Sequence, residues 1–240
     1  MTAQPARRVA AVTGGSGGIG LAVCERLRTD GAIVYSLDLR AVEGDAFSLA
    51  VNVTDPASLS RAVAEIVQRE GRIDSLVAAA GVVEDDIAAE DMTPEEFDFT
   101  MGINLRGVFF SAQAFGREFL RQGDGRIVLI SSMSGTHVVN VPQKQCAYNA
   151  SKAGVSALAR SLASEWASRG VRVNAVAPGY VDTPLLSKKQ HQFDEWLAQT
   201  PVGRFASPKE IAATVAFLLS DEAGYFHGSE LLVDGGYSLR

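Results

Sequence analysis

A tyrosine and a lysine four residues apart could transfer a proton. Tyr148 and Lys152 lie in the segment YNASK, and Ser132 precedes the tyrosine by 16 residues. On a helix, residues four apart share a face, so the phenol and the ammonium would point the same way. The ammonium would favour the phenolate and lower the tyrosine pKa towards the range of a general base. An isolated pair of this type more often lies on an exposed helix face, so other motifs must decide.

A glycine-rich segment near the amino end could hold a pyrophosphate. The segment TGGSGGIG lies between an apolar strand pattern and an amphipathic helix pattern. Glycines allow a tight turn, and the free N–H groups of the following helix attract an anion. A flexible turn is the alternative interpretation. The predicted dinucleotide contacts here are Gly14, Ser16, Gly18, Ile19 and Gly20.

An aspartate at the end of the second strand pattern indicates which dinucleotide binds. Asp38 follows Gly20 by 18 residues. A carboxylate at this position accepts the ribose 2′-OH and repels a 2′-phosphate, which favours NAD over NADP. Arg40 could weaken this preference, but the glycine segment adds no second cation. We predict NAD as the cofactor, with Asp38 and Leu39 beside the adenosine ribose.

Composition and charge exclude several classes of protein. The 240 residues are 47% hydrophobic and 21% charged, which is typical of a globular chain. A net charge of −6 disfavours nucleic acid as a partner, and no apolar run approaches the ~20 residues that span a bilayer. The two cysteines form no disulfide framework, and the histidines have no ligand-like spacing. We predict a cytoplasmic protein without a catalytic metal.

Short apolar segments alternate with longer amphipathic ones along the whole chain. Near-continuous apolarity in the short segments is typical of strands buried on both faces of a parallel sheet. This predicts an α/β fold, a doubly wound Rossmann fold with a seven-stranded, mostly parallel sheet and helices on both faces. Strands are predicted at 8–14, 32–38, 47–53, 74–81, 126–132, 171–179 and 229–235. Helices are predicted at 18–29, 55–71, 93–122, 147–169 and 207–224.

Residues 1–240 read as one domain, because no Pro-, Gly- or Ser-rich linker divides them. The polar segment at about 183–204 follows the sixth strand and would lie over the carboxyl edge of the sheet, where ligands bind. We predict that it forms a substrate lid with an apolar underside. That underside would consist of Phe193, Trp196 and Leu197.

Five motifs, in order along the chain, resemble the short-chain dehydrogenase/reductase family. They are TGxxxGIG at the glycine segment, an asparagine in GINLRGVFF, YxxxK with its upstream serine, PGxVxT, and the final LLVDGGYS. The resemblance implies a catalytic tetrad of Asn104, Ser132, Tyr148 and Lys152. It also implies cofactor contacts from Tyr148, Lys152, Pro178, Gly179, Val181 and Thr183.

The resemblance implies how this tetrad would work. Tyr148 would exchange a proton with an alcohol while hydride moves between the substrate carbon and the nicotinamide. Ser132 would hold the substrate oxygen, and Lys152 would bind the nicotinamide ribose. Asn104, at a break in the long helix near Gly102, would hold a water that links Lys152 to solvent.

The sequence departs from the family pattern around the adenosine end. It reads AAAG where many members read NNAG, so Ala79, Ala80 and Gly81 would offer the cofactor only backbone and a small surface. Asn52 precedes Val53 where Asp-Val is usual, and its amide oxygen could still accept from the adenine amino group. Only 14 positions separate Asp38 from Asn52. We therefore expect a short loop where other members have a helix.

The long serine-to-tyrosine interval indicates the substrate. The segment SMSGTHVVNVPQ resembles the subset of the family that works on sugar alcohols and ketoses. A polyol needs several donors and acceptors near the reacting carbon, and Ser134 and Asn140 could supply them beside Ser132 and Tyr148. Ordinary turn chemistry is the alternative for both. We predict an NAD(H)-dependent oxidoreductase that interconverts a secondary alcohol and a ketone, with a polyol or ketose as substrate.

Other functions stay open at this point. They are reduction of a 3-oxoacyl-carrier-protein thioester, oxidation of a cyclic dihydrodiol, and a non-catalytic module that senses a dinucleotide. Asp38 and the net charge of −6 argue against the first, which normally goes with NADPH and a basic patch. The resemblance also implies a homotetramer or homodimer through helices 93–122 and 147–169.

Overall fold

The computed structural model describes residues 7–240 and contains one seven-stranded sheet. The strands follow the order β3-β2-β1-β4-β5-β6-β7, and each neighbouring pair is parallel. The predicted doubly wound fold is confirmed, and the sheet is parallel throughout rather than mostly. The strands are β1 (Val9–Thr13), β2 (Ile33–Asp38), β3 (Ser48–Ala50), β4 (Ser75–Ala78), β5 (Gly125–Ile130), β6 (Val171–Pro178) and β7 (Glu230–Val233).

Eight α-helices connect or follow these strands in the described part of the chain. They are α1 (Gly18–Thr29), α2 (Pro56–Glu70), α3 (Pro94–Met101), α4 (Val108–Gln122), α5 (Met133–Thr136), α6 (Cys146–Trp166), α7 (Phe193–Gln199) and α8 (Pro208–Leu219). The helix predicted at 93–122 is therefore divided, with a π-helical segment at Gly102–Gly107 between α3 and α4. None of the helices within residues 7–240 is long and apolar enough to cross a membrane.

The sheet has an apolar core on each face because alternate strand residues point to opposite sides. In β1, Val9 and Ala11 belong to the core that contains Phe115 and Phe119. The intervening Ala10 and Val12 belong to the core on the other face, with side chains from α1 and α8. All five residues of β1 are buried, which explains why its sequence lacks polar alternation.

Polar side chains close the first turns of the connecting helices. Asp55 accepts a hydrogen bond from the backbone N–H of Ala57 at 2.9 Å, at the start of α2. Thr93 and Glu96 form the predicted capping box at the start of α3. These caps satisfy N–H groups that have no partner within their helix, so they help to set where each helix begins.

Two strands end earlier than the sequence pattern predicts. β3 pairs with β2 only from Ser48 to Ala50, and β4 ends at Ala78. The apolar residues that follow leave the sheet at its carboxyl edge and line a cavity there. The strand order reverses direction between β1 and β4, and ligands of doubly wound sheets bind at such a reversal.

Candidate active site

The glycine turn packs tightly against the end of β4. Gly14 has φ +68°, and a Cβ at this position would lie 2.7 Å from the backbone of Ala80. Gly20 is buried beneath the turn, where a Cβ would lie 2.1 Å from the carbonyl oxygen of Gly14. Side chains at these positions would therefore push the turn away from the strand and from a pyrophosphate.

Asp38 joins this turn to the end of β2. One carboxylate oxygen accepts from the backbone N–H of Ser16 at 3.0 Å, and the other accepts from Leu39 N–H at 2.8 Å. The carboxylate lines a cavity at the carboxyl edge of the sheet. The other predicted cofactor residues in that lining are Gly14, Leu39, Asn52, Val53, Ala79, Ala80 and Gly81.

The segment between β2 and β3 contains no helix from residue 39 to residue 47, as predicted. It leaves Leu39 71% exposed and Val42 55% exposed beside the cavity. Asn52 differs from the prediction in one respect. Its side-chain oxygen already accepts bonds of 3.0 and 2.8 Å from the backbone N–H and the hydroxyl of Thr54, so an adenine amino group would have to displace one of them.

A second cavity adjoins the first and contains the predicted reacting groups. Ser132, at the end of β5, lines it together with Tyr148 and Lys152 from α6. The ammonium of Lys152 lies 5.6 Å from the centre of the Tyr148 ring and donates to the carbonyl oxygen of Ile130 at 2.9 Å. The predicted cofactor residues in this lining are Ile19, Ala79, Gly81, Pro178, Gly179, Val181 and Thr183. Among the other glycine-segment residues, Ser16 is exposed and Gly18 lies against Thr183.

Asn104 lies in the π-helical segment and is fully buried. Its side-chain amide donates to the carbonyl oxygen of Val82 and accepts from the N–H of Val82, both at 2.8 Å. The amide therefore fixes the chain that follows β4, and it makes no direct hydrogen bond to Lys152 among the described residues. Such π-helical segments are frequent at functional sites, where they re-aim a single turn of helix.

The pKa of Tyr148 depends mainly on burial. Burial raises it above the ordinary tyrosine value, the hydrogen bond with Ser132 acts in the opposite direction, and the charge of Glu84 raises it further. The sequence pattern predicts that Lys152 lowers this pKa. Burial is the largest influence on the Tyr148 pKa, and burial also lowers the pKa of Lys152 itself to about 8.

Glu84 is a site residue that the sequence motifs do not indicate. Its carboxylate is buried and accepts from the backbone N–H of Tyr148 at 3.0 Å, in the first turn of α6. A carboxylate is favourable at a helix amino terminus because it pairs with free N–H groups and the positive end of the helix dipole. No spacing rule links Glu84 to Tyr148, so only the folded arrangement reveals the contact.

The two loop residues predicted to bind substrate beside Ser132 and Tyr148 lie at different depths from the second cavity. Asn140 lines the second cavity, whereas Ser134 is not among the described residues that do so. Ser134 is buried behind the cavity, with its hydroxyl 2.9 Å from that of Ser132. Ser134 can therefore orient Ser132, which differs from the direct substrate contact predicted for it. Additional polar residues in the lining are Gln143, Gln145, Lys189 and Trp196.

The predicted lid segment folds over this cavity. Its Lys189 pairs with Asp86 at 2.9 Å, and Gln192 donates to the same carboxylate at 2.9 Å. Trp196 is fully buried and stacks on Tyr180, with ring centres 4.2 Å apart. These contacts tie the segment both to the chain after β4 and to the end of β6. Of the other predicted underside residues, Phe193 and Leu197 are partly buried.

The parallel sheet, the glycine turn at its switch point, and the grouped serine, tyrosine and lysine define an oxidoreductase of the Rossmann class. A family model described as "Enoyl-(Acyl carrier protein) reductase" matches residues 14–238. The chain belongs to the short-chain dehydrogenase/reductase family, whose members use a nicotinamide dinucleotide.

Individual relatives agree with this assignment over nearly the full chain. A galactitol 2-dehydrogenase (L-tagatose-forming) of Cereibacter sphaeroides is 41% identical, covering 96% of this chain and 94% of the relative. A 3-oxoacyl-[acyl-carrier-protein] reductase of Thermotoga maritima is 36% identical, covering 95% and 97%. The crystal structure of gox2181 superposes with a TM-score of 0.92 at 43% identity, covering 98% and 96% of the two chains.

Proposed function

We propose that this protein is an NAD(H)-dependent oxidoreductase that interconverts a polyol and the corresponding ketose. The observation that carries the reaction class is the convergence of Ser132, Tyr148 and Lys152 on one cavity beside the glycine turn. The substrate class is supported by the amide side chains of Asn140, Gln143 and Gln145 in the lining of the same cavity and by the similarity to a galactitol dehydrogenase.

NAD rather than NADP is supported by the position of Asp38. Its two oxygens are held by the N–H groups of Ser16 and Leu39, so the carboxylate is fixed at the end of β2. Fixed there, it can accept a ribose hydroxyl and would repel a phosphate. The exposed Arg40 is the nearest cation in sequence, and among the described residues it forms no hydrogen bond or ion pair that would direct it into the cavity.

Each residue around the second cavity has a separate role in the proposed reaction. A bound nicotinamide dinucleotide supplies the hydride acceptor or donor. Tyr148 takes the proton of the substrate hydroxyl during oxidation and returns it during reduction. Ser132 holds the substrate oxygen beside the phenol, and Ser134 orients the Ser132 hydroxyl. Lys152 supplies positive charge next to the phenolate, which offsets part of the cost of burying that anion.

The segment at about 183–204 acts in this proposal as the substrate lid. Lys189 spans from the lid to Asp86, and its side chain is only 9% exposed. Burial acts to raise the pKa of Asp86, but the hydrogen bond and charge of Lys189, together with hydrogen bonds from Lys144 and Gln192, outweigh it, so the pKa is lowered. The lowered pKa favours the charged form of the Asp86 carboxylate, and its ion pair with Lys189 keeps the lid closed on the cavity.

Reduction of a 3-oxoacyl thioester on a carrier protein is the second candidate. The similarity to the Thermotoga maritima reductase and the description of the family model favour it. Asp38 argues against it, because that activity normally goes with NADPH. The net charge of −6 also disfavours an acidic carrier protein as the partner.

We also propose that the protein is cytoplasmic and assembles as a homotetramer or homodimer. The predicted helices 93–122 and 147–169 correspond to α3, α4 and α6. Their exposed apolar residues include Phe97 and Phe99, which are 40% and 61% exposed. Leu105, Phe109 and Leu158 line a groove on the same surface. An apolar surface of this kind is suited to burial between subunits.

The experiment that tests the function is a comparison of cofactors and substrates. Reduction of NAD⁺ and of NADP⁺ is followed with alditols, 2-hydroxy acids and dihydrodiols, and a 3-oxoacyl thioester is offered in the reverse direction. We expect the highest kcat/KM with NAD⁺ and an alditol. Tyr148→Phe should lower kcat by about 10²–10⁴-fold, the range of positioned acid–base groups, while cofactor binding is retained. Full activity of Tyr148→Phe would contradict the mechanism, and a preference for the thioester would favour the second candidate.

A further inference from the structure

Buried polar atoms without hydrogen-bond partners cluster around the second cavity. Within residues 7–240, such side-chain atoms are Asn140 Oδ1, Gln145 Oε1, Gln192 Oε1 and Trp196 Nε1. Asn140, Gln145 and Trp196 all line the cavity that contains Tyr148. A buried polar atom without a partner costs about 1–3 kcal/mol, so proteins leave few of them. Their grouping at one cavity indicates a ligand that completes the bonds.

Gln145 is the most informative of these residues. It is 4% exposed and lies three residues before Tyr148, immediately before α6. Its side chain makes no cap hydrogen bond to the helix, and its amide nitrogen makes only a 3.5 Å contact with Asn149 Oδ1. Glu84 caps the amino terminus of α6 instead, because its carboxylate accepts from the backbone N–H of Tyr148. The helix therefore gives no reason for a buried amide at this position.

From these observations we infer that Gln145 binds a substrate hydroxyl group that flanks the reacting carbon, beside the already predicted Asn140, and that Trp196 donates to another substrate oxygen. This inference rests on the proposed function and adds the specificity-determining residues to it. A hydroxyl group both donates and accepts, so it can satisfy an amide in either orientation of its oxygen and nitrogen. A hydrocarbon chain on the substrate would leave the same amides without partners.

The charges around the cavity show that the substrate in this inference is uncharged. The cations that line it among the described residues are Lys152 and Lys189, and no arginine or carboxylate does so. Lys189 is already paired with Asp86, and in the proposed function the charge of Lys152 serves the phenolate of Tyr148, whose ring centre lies 5.6 Å away. A carboxylate or phosphate on the substrate would therefore find no uncommitted counter-charge near these amides. A neutral polyol fits the combination of two amide acceptors and one indole donor.

Gln143 provides a matched control. It is a glutamine in the same cavity lining, but its Oε1 accepts from the hydroxyl of Tyr180 at 3.0 Å. Gln145→Met and Gln143→Met remove the same amide from neighbouring positions with little change in volume. The first removes an acceptor that has no protein partner, and the second removes one that has a partner. A loss that depends on substrate hydroxyl groups should therefore appear only in the first.

The test compares kcat/KM for the fastest of threitol, xylitol and galactitol with kcat/KM for a simple secondary alcohol of the same chain length. We expect Gln145→Met to lower the ratio of these two values about 10–100-fold, the effect of losing one hydrogen bond to a substrate hydroxyl. Gln143→Met should leave the ratio unchanged. The unfolding midpoint of Gln145→Met should stay equal to wild type or rise, because an unsatisfied buried group is removed. Equal losses on both substrates would overturn the inference and assign Gln145 a role in placing Tyr148.

Calorimetric binding of the same three alditols separates this inference from the proposed function. If the wild type binds an alditol but turns over none of them, the proposed function fails, and weaker binding by Gln145→Met still supports the inference. If the wild type turns over alditols and Gln145→Met keeps both the ratio and the affinity, the inference fails and the proposed function stands. Absence of both alditol binding and turnover overturns both.

Discussion

The polar groups at the amino edge of the sheet are hydrogen-bonded within the protein, whereas several at the carboxyl edge have no partner. At the amino edge, Arg126 and Arg172 extend from the starts of β5 and β6 to the end of α8. Arg172 donates to the carbonyl oxygens of Leu218, Ser220 and Ala223 at 3.1, 2.8 and 2.7 Å. At the carboxyl edge, Lys152 is buried next to a cavity whose amides lack partners. One edge satisfies its own polar groups, and the other leaves them for a ligand.

This difference separates stability from activity within one fold. Charged donors on the last carbonyl groups of a helix satisfy acceptors that the helix cannot satisfy itself, and they interact favourably with its dipole. Unsatisfied groups at a binding site cost stability until a ligand arrives, which is the usual origin of a trade-off between stability and activity. Substitutions at the amino edge should therefore change unfolding, and substitutions at the carboxyl edge should change catalysis.

The largest expected effect is that of Lys152→Met. We expect kcat/KM to fall about 10²–10⁴-fold, because the charge beside Tyr148 is lost. The free energy of unfolding of the same variant at pH 7 should rise by up to about 3.5 kcal/mol, since burial lowers the pKa of Lys152 from 10.5 to about 8 and each pKa unit is worth about 1.4 kcal/mol.

The pH dependence gives the sign of this stability change. Between pH 8 and 10.5 the unfolded chain binds a proton at Lys152 that the folded chain does not, so this residue makes wild-type stability rise with pH. The advantage of Lys152→Met should therefore shrink from pH 8 upwards. Urea unfolding of Lys152→Met and of wild type, at pH 7 and at about pH 10.5, measures this difference in stability. A variant less stable than wild type at both values would contradict the comparison of the two edges.

Arg172→Met should have the next largest effect, and it should change stability rather than activity. It leaves the carbonyl groups that end α8 without their charged donor, which should lower the free energy of unfolding by about 2–3 kcal/mol. The value of kcat/KM at a temperature where the variant is folded should stay within about twofold of wild type, because the cavity is at the other edge. Arg172→Lys should lie between the two, since an ammonium lacks the guanidinium fork. A large loss of activity in fully folded Arg172→Met would show that the two edges are coupled.

The parts of the fold that depend on local pattern were predictable from the sequence. Buried strands have continuous apolar segments, and capped helices carry their own start signals, as Thr93 and Glu96 illustrate. The ends of β3 and β4 were predicted too long, because the apolar residues that follow them face a cavity rather than a neighbouring strand. The break near Gly102 was predicted but its π-helical form was not; within it Gly107 packs closely on Val53, where a Cβ would lie 2.8 Å from the valine side chain.

The candidate site likewise contains residues that the sequence predicts and residues that only the folded structure reveals. Tyr148 and Lys152 were predictable because their spacing on one helix brings them together. The roles of Glu84 and Gln145 depend on which loops cover the start of α6, and no short-range pattern encodes that. The effect of burial on the Tyr148 pKa was not predictable either, because desolvation sums over every neighbour whereas sequence spacing shows only Lys152.

The smallest expected effect tests whether a single charge at the carboxyl edge tunes the chemistry without supporting the fold. Glu84→Gln keeps an oxygen that can accept from Tyr148 N–H but removes a charge that raises the tyrosine pKa. The acid limb of kcat/KM for alcohol oxidation should therefore move to lower pH, by about 0.5–1 unit for one partly screened charge. Glu84→Ala removes the acceptor as well, so it should add a loss of stability that Glu84→Gln lacks. Besides Glu84, the groups that face the phenol are Ser132, which does not titrate, and Lys152, whose replacement is tested separately. An acid limb that stays in place in Glu84→Gln would mean that the carboxylate only anchors the helix.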